Sequence, residues 1–135
     1  MTQHWHAYAY TGRAYLDGQV RKGDAPSNYP PFLVEDWLRR SPQHVETTFT
    51  DIEDAVTWLG KALAQYPPLD ADSFPVAQRL EYARERLMEE SGKDVVWNWY
   101  PPGQECVSRA LIACPRPKRH QYADDSPPAC PSPAQ

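Results

Sequence analysis

A chain of 135 residues has room for one domain of ordinary size and for no second one. Its 41% apolar residues, with five Trp, eight Tyr and three Phe, exceed what disordered chains carry, although fifteen prolines and a mean hydropathy of −0.73 pull against uniform order. A formal net charge of −4 excludes a protein whose whole surface is a nucleic-acid footprint, because neutralising phosphates needs Lys and Arg in excess.

No basic leader followed by an apolar stretch occurs, nor any run approaching 18 apolar residues, so the chain is expected to be neither secreted nor membrane-spanning. The cysteines at 106, 114 and 130 are odd in number. Reduced thiols are therefore expected, and with them a cytoplasmic location.

From Gln3 to Tyr10 the residues alternate, with His4, His6, Tyr8 and Tyr10 on one face of a strand and Trp5, Ala7 and Ala9 on the other. Asp17-Gly18 offers the dihedrals of a tight turn, which predicts a hairpin between 13–16 and 19–22. Gly23 to Pro31 holds three prolines and reads as a loop. Phe32 to Arg40 reads as a short helix with Leu33, Trp37 and Leu38 inward, stopped by Ser41-Pro42, and Val45 to Phe49 as a short strand.

Thr50-Asp51-Ile52-Glu53 has the spacing of a capping box and predicts a helix start. Ile52, Ala55, Val56, Leu59, Ala62, Leu63 and Tyr66 then form one apolar stripe that Pro67-Pro68 ends. A second helix is predicted from Phe74 to Glu90, with Val76, Leu80, Ala83, Leu87 and Met88 facing the core. Asp94 to Tyr100 and Glu105 to Cys114 read as a hairpin turned at Pro101-Pro102-Gly103-Gln104.

This order predicts an α+β fold: a mostly antiparallel sheet of four to five strands, two main helices on one face, and a disordered Pro-rich tail. The domain is drawn at 1–114 and the tail at 115–135, where six prolines and few aliphatic residues cannot offset the entropy of ordering.

His4 and His6 could chelate a transition metal if another ligand arrived from a neighbouring strand, but histidines among aromatics near an N-terminus read as ordinary edge-strand residues. Cys114, His120 and Cys130 suggest zinc, yet neither a C-x2-C nor an H-x3-H knuckle is present, and His4 or His6 would have to complete the set. Cys106 cannot join Cys114 along one strand, since eight residues span roughly 26 Å. The Cys-Pro pairs at 114–115 and 130–131 are a dipeptide that some haem-responsive proteins use as a thiolate ligand, a resemblance of two residues each. No cofactor and no metal site are assigned.

No G-x-S-x-G, phosphate-cradling Gly loop or H-E-x-x-H occurs, and Glu35, Asp36, Glu53 and Asp54 fall at helix starts, where they serve caps and dipoles. A non-catalytic intracellular interaction protein is therefore expected, such as an inhibitor, immunity or regulatory accessory factor. It would engage a protein partner through Trp97, Trp99, Tyr100 and Trp5, together with Arg116, Lys118 and Arg119. The alternative is nucleic-acid binding by the basic run 116–120 beside an aromatic face.

Overall fold

The alternation near the N-terminus produces β1 (His4–Gly12), which pairs antiparallel along its whole length with β4 (Cys106–Cys114), from His4 opposite Cys114 to Gly12 opposite Cys106. β2 (Thr47–Phe49) flanks β1 and β3 (Val95–Trp99) flanks β4, giving one four-stranded antiparallel sheet in the order β2-β1-β4-β3. The computed structural model describes residues 3–89, 93–103, 105–116 and 128–131. Within them the fold is α+β, as the order of elements predicts. At the β3–β4 turn Gly103 takes φ +102°, a left-handed conformation that glycine adopts without a Cβ clash.

α2 (Ile52–Gln65) and α3 (Val76–Leu87) cover one face of the sheet. The stripe of α2 is buried at Ala55, Val56, Leu59, Ala62 and Leu63, and it meets Trp5, Ala7, Val95, Leu111 and Ala113 from the strands. α3 adds Ala83 and Leu87, while Met88 stays exposed just beyond its last turn. The expected capping box does not form: Asp51 is the N-cap residue and makes no side-chain cap bond. Glu53 instead accepts two hydrogen bonds from Arg84 of α3, at 2.8 and 3.0 Å, which hold its carboxyl below the usual range.

The predicted hairpin at 13–22 is replaced by a single helical turn, α1 (Asp17–Arg21). Gly18 lies outside the left-handed region that a two-residue turn would demand, and the Leu16 amide donates to Gln19 Oε1 at 2.9 Å, which closes the helix start. The expected short helix is a 3₁₀ segment, Val34–Arg39, with Trp37 and Leu38 buried and Leu33 exposed.

The second face of the sheet is also covered. Trp37 stacks on Tyr8 with ring centroids 4.8 Å apart, and Leu38, Val45 and Cys130 pack with Tyr8, Ala110, Ile112 and Cys114. β1 is accordingly an internal strand under a lid formed by the 3₁₀ segment and non-helical chain, whereas its histidines had been expected at an edge. Of the Pro-rich segment, 117–127 and 132–135 lie outside the described residues; Pro128 and Pro131 are buried, with Cys130 between them resting on the sheet.

Leu59 is fully buried at the centre of the helix–sheet core. Leu59→Ala is expected to lower the unfolding free energy by about 2–5 kcal/mol, the transfer term plus the cavity left behind. Urea titration followed by circular dichroism checks it.

Candidate metal centre

A period of two along β1 puts His4 and His6 on the face away from the helices, and the β1–β4 register sets Cys114 directly opposite His4. Cys130 reaches the same point from the C-terminal segment. One donor atom from each of His4, His6, Cys114 and Cys130 lies within 4.8 Å of all the others. His4 Nε2 is 3.3 Å and His6 Nε2 3.1 Å from Cys130 Sγ. Around a tetrahedral zinc, with bonds of about 2.3 Å to sulfur and about 2.0–2.1 Å to nitrogen, donors stand about 3.3–3.8 Å apart. The four atoms fit that spacing with small adjustments.

Outer contacts fix the ligands. His6 Nδ1 is 2.9 Å from Thr48 Oγ1 on β2. In the tautomer whose Nδ1–H donates to Thr48, the Nε2 lone pair faces the cluster, which is the usual outer-shell arrangement for a metal-bound imidazole. Beyond Cys114, Asp94 accepts from the Ala113 amide at 2.8 Å and takes two hydrogen bonds from Arg116, at 2.9 and 3.0 Å. Gln3 Nε2 donates to the Cys114 carbonyl at 3.3 Å. The end of β4 is thus pinned from both sides.

His6 and Cys114 are completely buried. Burial, assisted by neighbouring His4, lowers the His6 pKa to about 4, so at neutral pH the ring is the uncharged form that can ligate. Burial and then the Cys130 thiol push Cys114 well above its ordinary value, with only partial relief from Arg116. Tyr8 is raised by burial and next by these two thiols, and its hydroxyl is buried without a hydrogen-bond partner among the described residues. Two neutral imidazoles and two thiolates around a divalent ion sum to zero charge, which suits a site closed to water. Soft sulfur with imidazole in a four-donor set favours zinc over hard cations.

The residues expected to meet a partner are dispersed. Trp5 is 3% exposed, with Nε1 donating to the Lys93 carbonyl at 3.1 Å, and Trp99 is 7% exposed, donating to the Tyr66 carbonyl at 2.7 Å. Both are core residues on the helix side, where their large apolar surfaces fill the gap between layers. Trp97 is half-buried and lines a shallow cleft with Phe74 and Arg79, while Tyr100 is half-exposed beyond β3. Arg116 is tied to Asp94, with Glu35 3.8 Å from its Nε. Lys118, Arg119 and His120 lie outside the described residues. The two-face alternation of Trp97 and Trp99 against Val96 and Asn98 holds; on the face away from the helices Val96 packs with Trp37 and Leu38, while Asn98 and Tyr100 stay exposed.

The sequence alone assigns no metal site to these four residues. The signal was His-x-His on one strand face plus two cysteines. What it lacked was the pairing that supplies Cys114 and the fold-back that supplies Cys130.

Two outcomes are expected. Thr48→Val keeps the fold and weakens metal affinity about 10–100-fold, measured by competition with a chromogenic chelator. In metal-free protein the unfolded chain protonates His6 near its ordinary 6.5 and the folded chain only near 4. Between those values the unfolded state holds more protons, so stability is complete above about 6.5 and declines as pH falls toward 4. Urea midpoints of chelator-treated protein across that window read the slope. Compared with family models, curated proteins and solved structures, the chain matches none of them.

Proposed function

We propose that this chain is a non-catalytic, metal-stabilised interaction domain, in which one zinc ion held by His4, His6, Cys114 and Cys130 ties the C-terminal segment to the sheet. The observation that carries the reading is the convergence of four donor atoms within 4.8 Å from three separate parts of the chain. Four protein ligands complete a tetrahedral shell, whereas catalytic zinc keeps a position for water or substrate. That contrast supports a structural role over a hydrolytic one.

A protein partner fits the remaining surface better than a nucleic acid. Tyr100 is 51% exposed, and Trp97, Phe74 and Arg79 border a cleft of about 180 Å³. These are the residue types that anchor protein interfaces. Arg116, the described member of the basic run, has its charge matched internally by Asp94. Thiolate ligands require a reducing compartment, which agrees with a cytoplasmic protein.

The test is metal content. The full chain purified without added chelator is expected to carry one zinc per chain by elemental analysis, and Cys130→Ser, a change in the irregular segment, to lose most of it. Stripping the metal lowers thermal stability and readdition restores it, because an ion that binds only the folded state stabilises by mass action. A metal-free chain that takes up no zinc on titration overturns the reading.

A further inference from the structure

The two sulfurs of the tetrad are unequal in access. Cys114 ends β4 and is wholly buried, while Cys130 is partly exposed on a segment that belongs to no helix or strand. Their Sγ atoms lie within 4.8 Å, and a disulfide needs about 2.05 Å. The irregular Pro128–Pro131 stretch can supply that movement more readily than a strand held on both edges. The third thiol, Cys106, is buried at the opposite end of β4, paired with Gly12. Roughly 26 Å of strand separates it from Cys114, so only one intramolecular pairing of Cys114 is open.

Resting on the metal reading above, we propose that Cys114 and Cys130 form an oxidation-sensitive latch: a peroxide joins them as a disulfide, expels the zinc and exchanges the metal tie on the C-terminal segment for a covalent one. The accessible sulfur of Cys130 attacks a peroxide oxygen, the O–O bond breaks, and hydroxide leaves as water with a proton from solvent, giving the sulfenic acid. The Cys114 sulfur then attacks the Cys130 sulfur, the S–O bond breaks, and a second hydroxide leaves as water. Two electrons pass from the sulfur pair to one peroxide, and two protons are consumed from solvent when both sulfurs begin as metal-bound thiolates. Both thiolate ligands are lost, and the two imidazoles that remain are too few to retain the ion.

Zinc-loaded full chain treated with hydrogen peroxide tests this, with released zinc read by a chromogenic chelator and thiols counted by alkylation and intact mass. The expected result is one equivalent of zinc released, a fall from three alkylatable cysteines to one, a 114–130 crosslink in the peptide map, and recovery of zinc binding after dithiothreitol. Cys106→Ser should release zinc at the same rate and leave no alkylatable cysteine. Zinc bound but retained under peroxide, with all three thiols still alkylatable, overturns the latch and leaves the metal site standing. Release accompanied by Cys130 sulfinic or sulfonic acid and no crosslink also overturns it. A chain that never binds zinc defeats the metal reading first, and the release with it.

Discussion

The antiparallel ladder between β1 and β4 is the constraint from which the rest of the molecule follows. It is nine residues long on each strand and sets Cys114 opposite His4 and Leu111 opposite Ala7. Because side chains alternate along a strand, a slip of one residue would send His4 and His6 into the helix-facing core and turn Trp5 and Ala7 outward. The aliphatic packing of Ala7, Leu111 and Ala113 under α2 and α3 therefore selects the register. The same register then delivers two imidazoles and a thiol to one end of the opposite face, at no separate cost in backbone strain.

Among the described residues, no α-helix covers that opposite face, and the 3₁₀ segment Val34–Arg39 is its regular element. Trp37, Leu38 and Val45 shield its middle by stacking and contact. At the Cys114 end the covering element is the four-residue stretch holding Pro128, Cys130 and Pro131, which belongs to no helix or strand. The zinc proposed above would hold that stretch by coordinate bonds in place of hydrophobic area, as structural metals do in small domains. The buried Tyr8 hydroxyl beside the thiols sits where a polar neighbour of a metal–thiolate group would be placed.

The periodic elements were legible in the sequence because their signals are local. The stripe of α2 and the alternation of β1 each needed only a dozen residues, and the C-terminal hairpin announced itself through Pro101, Pro102 and Gly103. The 13–22 segment was misread because Asp-Gly serves both a hairpin turn and a helix start, and the Gln19 side chain decides between them. Glu53 was misread for a related reason: Arg84, 31 residues away, competes successfully for the carboxylate that a capping box would have used. The donor set was present as four letters, but two of its members are more than 100 residues from the other two. No short-range pattern encodes that distance; the β1–β4 pairing is what brings Cys114 to the histidines.

The ladder that organises the site also dictates when it can exist. β1 leaves the ribosome about a hundred residues before its long-edge partner β4, and until then the one described strand beside it is the three-residue β2. A nascent chain must carry an almost unpaired strand bearing Trp5, Tyr8 and Tyr10 while the intervening residues are made. Until β4 arrives, that strand offers an open edge of the kind that pairs with other chains.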